Sequence, residues 1–447
     1  MFDYKQLHAR YKEEFASLEG QISEGIEKNR KTDAKIRLVD GQGNPVKGAK
    51  IKLRQKNHSF KFGCNALMLG QLGEHDRDYE YLLSKLFNLV TTTVCWNVYE
   101  NPEGVFHFED TGECVYRRPP IDRVRDFAKK NGMAFKGQPL VADSWFPKTW
   151  ASRDPETLKK QYENYMQKIS DRYGDDLAII DVVNEAYYAL GRTPDFPLYT
   201  PDLSFRNWAF EAAARIFPRN VILNYNEGTQ ENSYTGAEHY YNDVKQLLES
   251  GCGMQSCSFQ YHILPSFNNY KGNNDGDFVN HLRGDYLSLH EIYDTYMKFC
   301  NLGIPLYISE VTMASVADDL TADIGEEIQA DALEYLYRLW FSIPKMQGVI
   351  YWNLMDGHAW GKESKCLGCL VDSNYKEKPS YQRLYQLIHR EWKTNLDLET
   401  DDSGEVTFRG FCGEYELITE DGTQHTVYLH EGIKADECIT ATPVANS

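Results

Sequence analysis

Apolar residues recur at steps of three and four positions near the start of the chain, with polar residues between them. They are Tyr4, Leu7, Tyr11, Phe15, Leu18, Ile22 and Ile26. This spacing places one apolar stripe along a helix, and it predicts a long amphipathic helix within an N-terminal segment, residues 1–34. We expect the stripe to lie against the body of the protein, with a dimerising coiled coil as the alternative.

Strict alternation of apolar and polar residues marks two β-rich segments, one near each end of the chain. Residues 35–39 and 49–53 alternate and are separated by a turn-rich stretch, which predicts a β-hairpin over residues 35–59. Alternation returns over residues 396–447, where an Asp-Gly pair at Asp421 predicts a hairpin turn. We expect the two segments to pair into one small accessory β-domain.

Between these ends, over residues 60–395, short apolar runs alternate with helical stretches. The runs lie near residues 60–64, 88–95, 134–142, 177–183, 220–224, 252–259, 304–309 and 347–353. The clearest helical stretch is 155–173, which Asp154 and Pro155 begin as cap and first-turn proline. Eight strands with crossover helices predict an α/β fold, a closed (β/α)8 TIM barrel.

The charge balance excludes several classes of partner. The chain has 48 basic and 66 acidic residues, a formal net charge of −18. Sequence-independent nucleic-acid binding and binding to an anionic membrane need clustered Lys and Arg, so neither partner is expected. No apolar window is long enough to span a bilayer, and the first residues lack a signal-peptide pattern. We therefore expect a cytoplasmic protein, or a secreted one if a signal was removed; the oligomeric state stays open.

The ten cysteines are too dilute for a disulfide framework, and most lie in apolar runs. One spacing, Cys366-x-x-Cys369, fits half a zinc site or a redox pair, but a second pair at matching spacing is missing. Buried structural thiols are the favoured interpretation. Phosphate-cradling glycine motifs and a His-Glu-x-x-His motif are also missing, so we expect no cofactor and no metal.

Two glutamates follow apolar runs at the positions where a barrel carries its chemistry. Active sites of these barrels lie at the carboxyl ends of the strands. Glu185 closes the fourth run and Glu310 the seventh, so both carboxylates are predicted to face one pocket from opposite walls. Two facing carboxylates, one acid and one nucleophile or base, are what glycosidic hydrolysis requires. Structural ion pairs are the alternative for either glutamate alone.

Tryptophans accompany the two acids. Trp145 and Trp150 follow the third run, and Trp352 and Trp360 follow the eighth. Sugar rings present flat C–H faces that stack on aromatic rings, so these residues predict a carbohydrate site. Any single ring, taken alone, is better explained by packing in the core, and it is the cluster at the strand ends that favours a site.

At these residues the chain resembles glycoside hydrolase family 10, the retaining endo-β-1,4-xylanases. Asp181–Ala186 is similar to the family's acid/base segment and Tyr307–Val311 to its nucleophile strand. The resemblance implies that Glu185 is the general acid/base and Glu310 the nucleophile, and it implies an oligosaccharide or polysaccharide as the partner. The residues expected to bind substrate are Asn184, Gln138, Trp96, Asp143, Trp145, Asn224, Gln255, Tyr261, Trp352 and Trp360.

Several positions depart from the family pattern. Thr92 and Cys95 stand where the family has Asn and Lys, and Gly137-Gln138 and Ala142-Asp143 replace its Gly-His and Trp-His. The histidine that supports the nucleophile aligns with Cys257, and an aspartate two residues after the nucleophile aligns with Thr312. These exchanges imply a rebuilt support for Glu310, by Gln255, Tyr261 or His262.

Three functions stay open on this basis. The first is a retaining β-glycosidase acting on xylo-oligosaccharide or another short β-glycoside. The second is an endo-β-1,4-xylanase acting on β-1,4-xylan, whose pocket tolerates the exchanges. The third is a carbohydrate-binding protein on a decayed glycosidase scaffold. Because a binder does not need two opposed acids, the hydrolases are favoured.

Overall fold

Eight parallel strands close into a barrel at the centre of the chain. The structure, a computed structural model, describes residues 4–111, 114–186, 195–200, 202–228, 234–264, 288–316 and 321–440. The barrel strands are β3 Lys61–Asn65, β4 Leu89–Thr93, β5 Ala134–Gln138, β6 Leu177–Asn184, β7 Ile222–Glu227, β8 Ser256–Ile263, β9 Leu306–Met313 and β10 Met346–Tyr351. They pair in chain order, and β10 pairs with β3. The predicted (β/α)8 TIM barrel is therefore confirmed.

Helices surround the barrel and cover its apolar outer face. They are α2 Asp76–Leu86, the one-turn α3 Trp96–Tyr99, α4 Ile121–Lys130, α5 Pro155–Tyr173, α6 Phe205–Ile216, α7 Tyr234–Ser250, α8 Leu289–Cys300, α9 Ala322–Ser342, the short α10 Lys362–Lys365 and α11 Pro379–Gln386. Helix α5 begins as predicted: Asp154 accepts the Thr157 N–H at 2.9 Å, and Pro155 occupies the first turn.

A further helix, α1 Tyr4–Arg30, precedes the barrel and packs on α9 and α8. Its predicted apolar stripe is buried there, and the Tyr11 hydroxyl lies 2.7 Å from that of Tyr261 on β8. At Gly25 the two helices approach so closely that a Cβ atom would lie 2.8 Å from the Ser342 carbonyl oxygen. The apolar stripe of α1 therefore packs against helices of the barrel.

Seven strands from the two ends of the chain form two sheets beside the barrel. They are β1 Lys31–Val39, β2 Lys50–His58, β11 Asn395–Glu399, β12 Glu405–Phe411, β13 Gly413–Thr419, β14 Gln424–Leu429 and β15 Ala435–Thr440. One sheet has the order β12-β1-β15 and the other β11-β2-β13-β14. Apolar residues of both sheets share one core, so the sheets pack face to face.

The predicted hairpin over residues 35–59 is wrong. Strands β1 and β2 belong to different sheets, and residues 40–49 carry the chain from one sheet to the other. Ile36 and Ile51 do point into the same core, but they meet across the sandwich. Alternation identified the buried face of each strand without identifying its hydrogen-bonded neighbour. Strands β13 and β14 do pair through the predicted Asp421 turn.

The parts of the chain that the structure describes contain no helix long and apolar enough to cross a membrane. None of the nine cysteines described there forms a disulfide. Cys366 and Cys369 are both buried, and burial raises the pKa of the Cys366 thiol to about 12. Over the same residues, no group of His, Cys, Asp and Glu side chains is arranged to hold a metal ion.

Candidate active site

A cavity of about 660 Å³ opens at the carboxyl ends of the barrel strands. Both predicted acids, Glu185 and Glu310, line it, as do four of the residues expected to bind substrate. These four are Gln138, Asn184, Trp352 and Trp360. Trp145 also lines the cavity, at the wall formed by the loop after β5. The barrel therefore brings the main predicted residues together in one pocket.

One amide nitrogen joins the two acids. Gln260 Nε2 donates to an oxygen of Glu185 and to an oxygen of Glu310, each at 2.9 Å. The two acceptor oxygens are therefore no further apart than twice that distance. Glu310 lies inside β9 and is only 5% exposed, whereas Glu185 follows the last residue of β6.

The backbone of Glu185 is in the left-handed region, with φ of 55°. Non-glycine residues rarely adopt this conformation, and it persists where the surroundings hold it. Here the Glu185 N–H donates to the Asn226 carbonyl oxygen at 3.0 Å. The strand thus ends in a fixed, strained turn that aims the Glu185 carboxylate at the cavity.

Three amides converge on one oxygen of Glu310. Gln138 Nε2 donates at 2.5 Å, Gln260 Nε2 at 2.9 Å and Asn226 Nδ2 at 3.1 Å. The orientation of the Gln138 amide is fixed by Lys136, whose Nζ donates to Gln138 Oε1 at 3.0 Å. The side chain of Glu310 is consequently locked in a single orientation.

Asn226 is held in a similar way. Its Oδ1 accepts from the hydroxyls of Ser258 and Ser309, at 2.8 and 2.5 Å. Its Nδ2 donates to Asn184 Oδ1 at 2.6 Å as well as to Glu310. Because the Asn184 oxygen accepts this bond, the Asn184 amide nitrogen is the group that can donate to a ligand in the cavity.

His262 contacts the other oxygen of Glu310, with 3.4 Å between Nε2 and Oε2. Its second ring nitrogen lies 2.9 Å from the Thr312 hydroxyl. Burial alone lowers the pKa of His262, but the hydrogen bond to Glu310 and the charges of Glu310, Glu363 and Glu185 outweigh it and raise the pKa above its ordinary value. The His262 ring therefore lies where a positive charge is favoured, beside Glu310 and near Glu185 and Glu363.

The support of Glu310 therefore comes from His262, one of the three residues considered, and not from Gln255 or Tyr261. The strand assignment was displaced: β8 covers residues 256–263, not 252–259. Gln255 is exposed just before the strand, at the amino end of the barrel, and its side chain accepts the Leu223 N–H. Cys257 and Tyr261 alternate to the outer face, where Tyr261 packs on Trp340.

Three further predicted substrate residues are not part of the cavity lining. Trp96 is only 1% exposed, because α3 turns its side chain away from the pocket. The ring packs in the core, 4.6 Å from that of Tyr162. Asn224 is fully buried below the pocket and donates to Asp181 at 2.7 Å. Asp143 is half-buried in the loop beside the cavity, and its carboxylate accepts from Ser144, which lines the wall.

Asp181 itself belongs to a buried ion pair. It faces Lys136, and both side chains are fully buried. Burial raises the pKa of Asp181, while the Lys136 charge and the hydrogen bonds from Lys136 and Asn224 act in the opposite direction. This pair therefore supports the floor of the pocket through Gln138, without reaching the cavity.

A third carboxylate in the cavity, Glu363, was not predicted. It lies on the short helix α10, and burial raises its pKa. Asn353 Nδ2 donates to Glu363 at 2.8 Å, and Arg117 Nη2 donates to Asn353 Oδ1 at 2.9 Å. Asn353 and Arg117 both have positive φ, of 75° and 61°. These contacts tie the loop after β4 to the loop after β10.

Sequence reasoning also missed Gln260 and Asn226 as site residues. A usable signal existed for Gln260, because Ser256, Ser258, Gln260 and His262 are polar at every second position of one segment. That pattern is typical of a barrel strand whose inner face is polar. Arg117, in a loop, and Glu363, on the one-turn helix α10, carry no such periodicity.

Comparison with known proteins connects this geometry to one family. Residues 51–387 match the sequence model of the family described as Glycosyl hydrolase family 10. The chain is 26% identical to the anti-sigma-I factor RsgI6 of Acetivibrio thermocellus over 420 residues, 92% of this chain and 48% of that protein. It is 25% identical to endo-1,4-beta-xylanase B of Neocallimastix patriciarum over 284 residues, 61% of this chain and 29% of that protein. The chain thus spans about half and less than a third of these two relatives.

Other relatives are covered over more of their length. The chain is 23% identical to endo-1,4-beta-xylanase B of Thermotoga neapolitana over 340 residues, 70% of this chain and 84% of that protein. Among solved structures, xylanase 10B from Thermotoga petrophila RKU-1 in complex with xylobiose has a TM-score of 0.61 at 21% identity. That likeness covers 74% of this chain and 95% of the other, and it supports the barrel fold.

Proposed function

Since the chain belongs to glycosyl hydrolase family 10 and is a glycoside hydrolase, we propose that it cleaves β-1,4-xylan or xylo-oligosaccharides with retention of configuration. Glu185 is the general acid/base and Glu310 the nucleophile. The observation that carries this proposal is the single amide nitrogen of Gln260, which both carboxylates share.

The shared nitrogen supports retention over inversion. Retaining glycosidases have their carboxyl groups roughly 5–5.5 Å apart, and inverting ones roughly 6.5–9.5 Å apart to admit a water. Two oxygens that each lie 2.9 Å from one nitrogen are at most twice that distance apart, which is below the whole inverting range. Little room is left for a water between Glu310 and the sugar, so Glu310 is suited to direct attack.

The reaction then proceeds in two displacements. Glu310 attacks the anomeric carbon while Glu185 donates its proton to the glycosidic oxygen, which leaves as a hydroxyl. Glu185, now a carboxylate, takes a proton from water, and the water oxygen displaces Glu310 from the anomeric carbon. The amides of Gln138, Asn226 and Gln260 hold one oxygen of Glu310 throughout, and His262 contacts the other.

Xylan is favoured as the substrate because several of the relatives are named as xylanases and the structural neighbour holds xylobiose. Asn184, Gln138, Trp145, Trp352 and Trp360 are the residues we assign to the sugar, as amide donors and stacking surfaces on the cavity wall. The altered positions at Thr92 and Cys95 leave the preferred chain length open to experiment.

Product analysis tests this proposal. Purified protein and Glu310→Ala are incubated with xylo-oligosaccharides, cello-oligosaccharides and aryl β-glycosides, and the anomer released first is read by proton NMR. We expect cleavage of xylo-oligosaccharides with a β-anomeric first product, absent from Glu310→Ala. An α-anomeric first product would reject retention. Binding without cleavage in the unaltered protein would instead favour a carbohydrate-binding protein on a decayed scaffold.

A further inference from the structure

Two consecutive arginines, Arg117 and Arg118, line the wall of the cavity in a protein with a net charge of −18. They lie in the loop between β4 and α4. Arg117 is committed to the protein: its Nη1 donates to the His358 carbonyl and its Nη2 to Asn353 Oδ1 at 2.9 Å. Its guanidinium also interacts electrostatically with the nearby Glu363.

Arg118 is not committed in this way. Its guanidinium lies over the ring of Trp145, with the central carbon 4.6 Å from the ring centroid. Nη1 donates to the Arg117 carbonyl at 2.7 Å. Nε is buried and has no hydrogen-bond partner within the described residues, and over those residues Arg118 forms no ion pair. A buried donor without a partner carries a cost that a bound ligand can remove.

Resting on the proposed function, we propose that Arg118 binds a carboxylate of the substrate, so that the enzyme prefers β-glycans bearing a uronic acid. A guanidinium presents a planar fork that matches a carboxylate with two parallel hydrogen bonds. Stacking on Trp145 fixes the plane of that fork, and the same indole offers an apolar edge to the sugar ring.

The acids of the cavity limit where such a carboxylate can lie. Glu185, Glu310 and Glu363 repel an anion near the reacting sugar, because like charges at short range in a partly buried site are costly. The Arg118–Trp145 wall is formed by loops after β4 and β5, above the floor made by Gln138 and Glu310. The uronic acid therefore occupies a neighbouring unit or a branch, not the sugar that is cleaved.

Two substrates that differ in one group test the proposal. A xylo-oligosaccharide carrying a glucuronic acid branch is compared with its carboxyl-reduced form, in which the carboxylate is a neutral hydroxymethyl group. For unaltered protein we expect kcat/KM to be about tenfold higher on the acidic substrate, the equivalent of one charge-assisted hydrogen bond. Raising the salt concentration should reduce this preference.

Variants locate the effect. Arg118→Gln should lose the preference, with kcat/KM falling about tenfold more on the acidic substrate than on the neutral one. Arg118→Lys retains the charge without the planar fork and should keep only part of the preference. Arg219→Gln, an exposed arginine in the turn before β7 at the opposite end of the barrel, is the matched control and should leave it intact. Thermal unfolding of each variant checks that the fold is kept.

Equal kcat/KM on the two substrates, or an equal loss on both in Arg118→Gln, would overturn the role of Arg118 while leaving the proposed hydrolase in place. Turnover of neither substrate would reject the proposed function instead. Calorimetric titration of the same two oligosaccharides then tests Arg118 by itself. Tighter binding of the acidic form that Arg118→Gln abolishes supports the proposal, and equal binding rejects it.

Discussion

Replacing Gln260 by methionine removes the amide nitrogen that Glu185 and Glu310 share, while keeping a side chain of similar size. A hydrogen bond to a charged group contributes about 1.5–3 kcal/mol. If one of the two bonds is fully expressed in the transition state, its loss lowers kcat/KM by about 10- to 150-fold. The assay is the initial rate on an aryl β-xylobioside over a range of concentrations.

Gln255→Met is the matched control, since it removes the same amide five residues away. Gln255 is exposed at the opposite end of the barrel, and its side chain contacts only the backbone of Leu223 in the bonds that the structure describes. We expect kcat/KM within about twofold of unaltered protein. A comparable loss in both variants, or an unchanged rate in Gln260→Met, would refute the assignment of β8 to residues 256–263 and the shared amide with it.

Three further outcomes are expected. Glu185→Ala should slow substrates with poor leaving groups far more than activated aryl glycosides, measured as the ratio of the two kcat/KM values, because activated groups need no proton. His262 has a raised pKa in the fold, so its contribution to stability is present below its unfolded pKa of about 6.5 and is lost as pH rises through the folded pKa. The urea midpoint of His262→Gln should accordingly approach that of unaltered protein at alkaline pH; a constant difference would contradict this. Gly25→Ala should destabilise the fold by about 1–3 kcal/mol, because its Cβ meets the Ser342 carbonyl, whereas Gly20→Ala in the same helix has open space and should stabilise slightly, both read by thermal unfolding.

The barrel was predictable because its parallel strands are buried on both sides and appear as apolar runs between helices. The acids at Glu185 and Glu310 were predictable for the same reason, as polar residues at the ends of those runs. Strand β8 was predicted too early in the chain, because it does not appear as a continuous apolar run. Its inner face is polar from Ser256 to His262, while the apolar residues just before it belong to a turn in which Gly251 and Gly253 have positive φ.

Other parts of the site depend on contacts that no local pattern contains. The direction of Trp96 is set by the one-turn helix α3, which packs its ring into the core instead of the pocket. Arg117 lies in the loop after β4 and Glu363 on the short helix α10, and the two are joined through Asn353, which is more than two hundred residues from Arg117. A hydrogen-bonded pair of loops of this kind is specified by tertiary packing, so its members could be found only in the folded chain.

The charges around the cavity connect acid catalysis with substrate choice. Three acidic side chains, two guanidinium groups and one histidine ring line the cavity: Glu185, Glu310, Glu363, Arg117, Arg118 and His262. In the proposed first displacement Glu185 carries a proton, so its negative charge is removed while both guanidinium groups remain. The Glu363 charge acts on Arg117, whereas Arg118, over the ring of Trp145, has no ion-pair partner within the described residues. A neutral xylan leaves the charge of Arg118 uncompensated, and a uronic acid balances it. The protonation state that the proposed mechanism requires is therefore also the one in which we expect this pocket to favour an acidic glycan.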